Sequence, residues 1–285
     1  MPLRPLIRDE VNPRGEFLMK HQLFKEPVHI ATGGRTFDNK KEVVVFLHGS
    51  GQNHLTWVLQ SRYFAYRDYA ILAPDFPGHG FSGGQPLNSI ESMADWIIAL
   101  LNSLEIKKAT IIGHSQGGLV ALETAARQPS MINRLGLIAG ALAIPVNEQL
   151  LSLSNDALKD AICVMTGWGH GPMAHMHDNT QPGHSFLYYG NRLMEMNHED
   201  ALKTDLAACN NYRNGETIAK EINQPAVCIL AGADRMTPIK FGKFMSDSLR
   251  NSECHVLPNA GHILPAERPS EINAILSSFL SNQIK

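Results

Sequence analysis

Ala109-Thr110-Ile111-Ile112-Gly113-His114-Ser115-Gln116-Gly117-Gly118 runs from a β-branched stretch into a serine flanked by glycines. Leu119-Val120-Ala121-Leu122-Glu123-Thr124-Ala125-Ala126 follows, built of helix formers. These residues read as strand, sharp turn, helix. A serine that must stand clear of a sheet needs such a strained turn, and side chains two before and two after it must be tiny to avoid a clash. Gly113 and Gly117 meet that need. The helix that starts after Ser115 aims its first N–H groups at any negative charge developing there. The competing explanation is a structural turn with an idle serine, in a chain that holds 23 glycines.

Outward from this point, apolar runs alternate with helical spacing. Strands are expected at Glu42–Leu47, Tyr69–Ala73, Ala109–Ile112, Arg134–Ala139, Ala226–Ala231 and Glu253–Leu257. Continuous apolar runs of this kind suit strands buried on both faces. Ser89–Leu104 carries helical spacing, and a closing helix over Ser270–Leu280 begins near Pro269. The alternation predicts an α/β fold, a mostly parallel sheet with helices on both faces, and a ligand site at the carboxyl ends of the strands. Residues 1–25, with Pro2, Pro5 and Pro13, read as an irregular N-terminal extension. Pro145 to Ile222 breaks the rhythm, with no β-branched run and with helical patches at Asn155–Met165, Leu187–Met196 and Asp200–Asn210. The expected organisation is therefore an extension (1–25), a core (26–144 and 223–285) and an inserted helical cap or lid (145–222).

Composition narrows the function. A chain of 285 residues can bury a large core. A net charge of −2 and no basic run argue against a nucleic-acid partner. No segment reads as a signal peptide, and the longest apolar stretch, Leu135–Val146, is broken by glycine and proline and too short to span a bilayer. Cys163, Cys209, Cys228 and Cys254 lack metal or redox spacing and read as reduced thiols, with Cys228 in the core. A cytoplasmic protein without a membrane partner is expected.

Three further stretches sit at strand ends. His48-Gly49-Ser50-Gly51 can bring a backbone N–H to an oxyanion; Ser50 is favoured over Gly51 as the donor, with the N–H of Gln116 as the second. Asp234, in Gly232-Ala233-Asp234-Arg235, can hold a histidine in one tautomer, or merely cap the helix after Pro238. His262, in Asn259-Ala260-Gly261-His262, can serve as general base to Ser115 and then as general acid. The chain order Ser115…Asp234…His262, each residue at a strand end, is more specific than any one part.

With these pieces the chain resembles the α/β-hydrolase superfamily in its capped form, from about residue 27 to residue 282. The landmarks are His48-Gly49, Asp75-Phe76-Pro77-Gly78-His79-Gly80-Phe81-Ser82, Gly113-His114-Ser115-Gln116-Gly117-Gly118, Gly232-Ala233-Asp234 and Gly261-His262. The resemblance implies an eight-stranded sheet, a Ser115–His262–Asp234 triad, no cofactor, and a cap inserted after the sixth strand. It places two early strands near Val28–Thr32 and in the segment before it, and makes Asp75–Ser82 a structural turn beside the site. Related haloalkane dehalogenases and epoxide hydrolases use an aspartate where this chain has Ser115. A serine directs the chemistry to an ester, thioester, lactone, amide or carbon–carbon acyl bond. The leading expectation is a carboxylesterase-type serine hydrolase. His48-Gly49-Ser50-Gly51 and Trp57 also resemble the carbon–carbon hydrolases of aromatic ring cleavage, which predicts a basic group for a substrate carboxylate, with Arg192 and Arg235 as candidates. A third class is a non-catalytic binding protein on the same fold.

Met165, Met173, Met176, Met194 and Met196 lie in the cap with Trp168, Phe186, Tyr188 and Tyr189, and suggest an adaptable apolar wall and an apolar small-molecule ester or acyl partner. His114, Gly51, Trp168 and Met165 are the expected pocket residues. His170, His175, His177 and His184 crowd the cap around Asp178 without familiar ligand spacing, so a solvated loop is favoured over a metal. Whether the chain forms a homodimer is left open.

Overall fold

The computed structural model describes residues 8–11, 17–175 and 185–282. Among these residues nine strands form one sheet: β1 (Arg8–Val11), β2 (Phe17–Leu23), β3 (Glu26–Ala31), β4 (Val43–Leu47), β5 (Ala70–Pro74), β6 (Ala109–His114), β7 (Ile132–Ile138), β8 (Ala226–Ala231) and β9 (Ser252–Leu257). Their order across the sheet is β1-β2-β3-β5-β4-β6-β7-β8-β9. From β5 to β9 every pairing is parallel, whereas β1, β2 and β3 are antiparallel and join the sheet at β5. The mostly parallel α/β sheet is the one expected, with one strand beyond the eight implied. The extra strand corrects the expectation of an irregular N-terminus: Arg8–Val11 pairs with Phe17–Lys20, and Leu18–Leu23 with Glu26–Ala31. The prolines that suggested irregularity, Pro2, Pro5 and Pro13, all lie outside the described residues, between or before the strands.

The helices are α1 (Val58–Ala65), α2 (Ile90–Ser103), α3 (Gln116–Arg127), α4 (Glu148–Asp156), α5 (Leu158–Gly169), α6 (Phe186–Glu195), α7 (Ala201–Asn211), α8 (Gly215–Ala219), α9 (Ile239–Ser248), α10 (Leu264–Glu267) and α11 (Pro269–Ser281). Strand alternation divides the apolar runs into two cores. Val43, Val45, Leu47, Ile111, Leu135 and Leu137 face one side, where α2, α3, α8 and α9 pack. Val44, Phe46, Ile112, Ile138, Val227 and Ile229 face the other, against α1 and α11. Burial on both faces is why these strands show no polar alternation. Between β7 and β8 lie α4 to α8; Leu150, Ile162, Met165, Leu193, Leu202 and Leu206 of α4 to α7 form a separate apolar cluster.

The sheet's topology fixes where a ligand can sit. After β4 the chain goes to β5 on one side, then crosses to β6 on the other. The crevice at such a reversal, beyond the carboxyl ends of β4 and β6, lies beside His48–Gly51 and Ser115.

Gly113 lies so close to the start of α3 that a Cβ there would stand 2.1 Å from the Gly117 carbonyl oxygen, whereas at Gly118 the nearest atom would be 3.7 Å away. We expect Gly113→Ala to lower stability by about 1–3 kcal/mol in urea titrations through overpacking. Gly118→Ala should be neutral or stabilising, because alanine suits a helix better. Equal effects of the two would contradict this account of the turn.

Candidate active site

Ser115 occupies φ 54° and ψ −119°, a left-handed region costly for a residue with a side chain. Parallel-sheet and helix bonds hold it there: its N–H donates to Ile138 O at 2.9 Å, and its carbonyl accepts from Gly118 N at 2.8 Å. Gln116 is the first residue of α3, so its N–H has no partner within the helix.

Asp234 follows β8 and His262 follows β9. His262 Nδ1 donates to Asp234 Oδ2 at 2.8 Å, with both side chains buried. Because an ionised carboxylate only accepts, Nδ1 carries a proton, and in the neutral imidazole Nε2 is then the acceptor. The Met236 and Thr237 N–H groups donate to Asp234 Oδ1, each at 2.8 Å. Burial alone would raise the Asp234 pKa, but His262 and the Thr237 donors outweigh it and hold the carboxyl below its ordinary value of 3.8. Thr237, which sequence reading passed over, places its hydroxyl 2.9 Å from both Asp234 Oδ2 and Ala139 O. Its signal was available: a threonine three residues after an aspartate and just before a helix-starting proline.

The loop after β4 is pinned on both sides. Gly49 O accepts from Gln52 N at 3.1 Å, and Gly49 N donates to Gln52 Oε1 at 3.1 Å. His48 donates from Nδ1 to Gly49 O at 3.0 Å and accepts from Phe76 N at Nε2 at 3.2 Å, the pattern of a neutral imidazole. Burial pushes its pKa down to about 4, in agreement. Gly51 N is occupied, donating to Asp205 Oδ2 at 2.8 Å. Of the two candidate donors, Ser50 N–H is therefore the one without an acceptor among the described residues.

One cavity of about 250 Å³ brings Ser50, Ser115 and His262 together. Met165 and Trp168 line it. His114 and Gly51 do not, which corrects the expectation for both. His114 is fully buried beneath the loop, with Nε2 2.8 Å from His262 O and Nδ1 3.0 Å from Gln52 Oε1. Burial lowers its pKa to about 3, so it stays neutral and donates only one of these contacts. Most of the apolar wall comes from segments that sequence reading did not select: Ala141–Leu150 and Met236–Phe241. Of the cap residues singled out, Met194 and Phe186 are buried away from the cavity, Tyr188 is exposed, and Tyr189 bonds Leu55 O. Met176, His177, Asp178 and His184 lie outside the described residues, as do the side chains of Met173 and His175. Arg192 pairs with Glu195 away from the cavity, whereas Arg235 lies on its rim.

Among the described residues one trio, His29, His54 and Asp75, brings possible metal ligands within 4.8 Å. The Asp75 carboxylate is already engaged by the N–H groups of His54 and Phe81, at 2.6 and 3.0 Å, and by His54 Nδ1 at 2.9 Å. The trio reads as a clasp that ties the Asp75–Ser82 turn to the loop after β4.

The depressed Asp234 pKa makes stability depend on pH. Its ionised form stabilises the fold above the unfolded pKa, and that contribution is lost as the pH falls through the lower folded value. Thr237→Val removes a hydroxyl whose single proton lies between two acceptors, Asp234 Oδ2 and Ala139 O. We expect it to cost about 1–2 kcal/mol at pH 7, and to move the acid loss of stability to higher pH. Paired urea titrations at pH 7 and in the carboxylate range check both; an unchanged acid midpoint would count against Thr237 as a partner of the carboxylate.

Known proteins bear on this geometry. The alpha/beta hydrolase family matches residues 44–275. A Pseudomonas putida protein, the dihydrolipoyllysine-residue acetyltransferase component of the acetoin cleaving system, is 26% identical over 245 residues, 83% of this chain; the chain spans 63% of that protein's length. A 2-hydroxy-6-oxononadienedioate/2-hydroxy-6-oxononatrienedioate hydrolase of Paraburkholderia phymatum is 26% identical over 84% of this chain and 87% of its own. The enol-lactonase from Burkholderia xenovorans LB400 shares the fold with a TM-score of 0.81 at 19% identity, over 92% of this chain and all of its own. A thermophilic esterase gives a TM-score of 0.75 at 25% identity, over 92% and 96%. No described helix is long and apolar enough to cross a membrane. With the family match covering most of its length, from β4 into α11, the chain belongs to the alpha/beta hydrolase family.

Proposed function

We propose that the protein is a serine hydrolase of carboxylic esters or closely related acyl compounds. The observation that carries this reading is the shared cavity: a strained Ser115 and a His262 held by Asp234 at 2.8 Å open onto the same apolar space. His262 Nε2 takes the Ser115 proton as Oγ attacks the carbonyl carbon. The oxyanion is met by the N–H groups of Ser50 and Gln116, each worth about 10²–10³ in rate. Collapse releases the alcohol, protonated by His262, and leaves an acyl-serine. Water then attacks, giving its proton to His262, and the acid departs with Ser115 restored. The imidazolium formed at each step is stabilised by Asp234. His114 is no rival base, since both its nitrogens face other groups and burial, by lowering its pKa to about 3, leaves it with little affinity for a proton.

The cavity walls support an apolar acyl or alcohol part. Ala141, Ile144, Val146, Leu150, Met165 and Trp168 offer few polar partners. One observation favours a second reading. Arg235 stands at the rim with no ion-pair partner among the described residues, and could hold a substrate carboxylate. Paraburkholderia phymatum's dioate hydrolase is one of the relatives. A carbon–carbon hydrolase acting on a keto acid would use the same serine and histidine.

Intact mass after a fluorophosphonate probe, with nitrophenyl esters of graded chain length assayed in parallel, tests the proposal. One adduct on the wild type, none on Ser115→Ala, and a turnover loss of at least about 10⁴-fold in that variant are expected. An adduct without ester turnover would transfer weight to the carboxylate-bearing substrate. No adduct on folded protein would leave a binding role as the better explanation.

A further inference from the structure

Helix α7 carries Leu202, Asp205, Leu206 and Cys209 on one stripe, at spacings of three and four residues. Three of the four are small or apolar, as a buried helix face demands. Asp205 is not, yet it is 1% exposed. A buried carboxylate needs strong compensation. It finds it at one oxygen: Oδ2 accepts from Gly51 N at 2.8 Å and from His79 Nε2 at 2.9 Å. The rest of the stripe meets the same loop. A Cβ on Gly51 would lie 2.7 Å from Leu202 Cδ1, and Cys209 Sγ stands 3.5 Å from Ser50 Oγ. From the segment before α7, Asn197 Nδ2 donates to Gly51 O at 2.6 Å, and Asn197 Oδ1 accepts from Gly80 N at 2.8 Å. Both polar groups of Gly51 are thus held by the insertion between β7 and β8.

We propose that Asp205 is a positioning residue for the oxyanion hole, fixing the Ser50–Gly51 peptide from the cap so that the neighbouring Ser50 N–H points into the cavity. This inference rests on the serine-hydrolase reading. The physical logic is that of linked rigid peptides. Gly49 O is pinned to Gln52 N, which directs the Ser50 N–H of that same trans peptide to the opposite side. That bond leaves the next peptide free to rotate about Ser50. Gly51 sits at φ +65°, open to a range of conformations that other residues avoid. The Asp205 acceptor removes this freedom without taking the Ser50 N–H itself. His79 completes the arrangement. Burial opposes its charge, but Asp205 outweighs burial and raises its pKa, and both ring nitrogens face acceptors, Asp205 Oδ2 at 2.9 Å and Pro77 O at 3.0 Å, an arrangement that favours the protonated ring beside the carboxylate. A consequence is that α7 stays seated during turnover: lifting it would unmake the hole.

Asp205→Ala and Asp205→Asn separate this role from simple packing. An asparagine oxygen in the Oδ2 position keeps both contacts, whereas alanine keeps neither. In folded protein, judged by circular dichroism and thermal melting, Asp205→Ala should lose about 10²-fold in kcat for a nitrophenyl ester. Its KM should move by no more than about threefold, as for an interaction made only in the transition state. Asp205→Asn should remain within about tenfold of the wild type. The rate of fluorophosphonate labelling of Ser115 should fall in parallel, since charge on the phosphonyl oxygen develops in the same hole. Should Asp205→Ala not fold, Asp205→Ser, too short to reach Gly51, replaces it. A wild-type kcat in the alanine or serine variant, a rise in KM alone, or an asparagine variant as impaired as alanine would overturn the inference. If Ser115→Ala is inactive while Asp205→Ala is not, the inference fails and the serine-hydrolase reading stands. If the wild type labels but turns over no ester, labelling rates decide it; if it does neither, both fall.

Discussion

The contact between the start of α3 and the end of β4 constrains everything built above it. A Cβ on Gly117 would lie 2.3 Å from Leu47 O and 2.7 Å from His48 O, so the two backbones touch with nothing between them. That approach puts the first N–H of α3 beside the loop that carries Ser50. It also forces the turn at Ser115 into a conformation that an isolated chain would avoid. The strain is held by a sheet buried on both faces, where neither β4 nor β6 can shift without opening one of two cores. A looser helix would relieve the serine and separate the two donors at once.

Around that contact, buried histidines take different charge states for identifiable reasons. His48 and His114 face carbonyl or amide groups and other histidines, and desolvation keeps them neutral. His79 faces a carboxylate at 2.9 Å and is driven the other way. His262 also faces a carboxylate, but it borders the cavity. A neighbouring carboxylate thus sets His79 and His262 apart from His48 and His114, and contact with the cavity then sets His262 apart from His79. Glu267 adds a further tie: its Oε2 accepts from Gly171 N and Gly261 N, each at 3.0 Å, linking the end of the cap's second helix to the loop that bears His262.

Much of this was legible in the sequence because it is written in local terms. Strands buried on both faces show as apolar runs, and a strained strand-to-helix turn shows as glycines two residues either side of Ser115. The strand at residues 8–11 was not legible, and the one at 17–23 was expected only through the family resemblance, which placed a strand before Val28–Thr32, because Phe17–Leu23 alternates weakly and is ordered by its pairing with β1 and β3. The pocket was legible least. Methionine and aromatic content pointed to Met165 and Trp168, which do line the cavity, but Met194 and Phe186 are buried elsewhere, and most of the wall is made by Ala141–Leu150 and Met236–Phe241. Composition marks a segment as apolar; which side of a helix meets the cavity depends on partners far away in the chain.

Asp205 shows the same limit from the opposite side. A single aspartate on an apolar stripe looks like a helix defect when read alone, and only the partner loop 154 residues away gives it a purpose. The energetics then follow from position. A hydrogen bond to a flexible glycine N–H would contribute little in water, where the peptide would be solvated anyway. In a site sealed by Leu202 and closed beneath by His79, no solvent competes, and the acceptor decides which way the peptide faces. On the proposed reading the α7 side of the insertion belongs to the catalytic framework, and the cavity meets solvent where Arg235 and Phe241 lie at its rim.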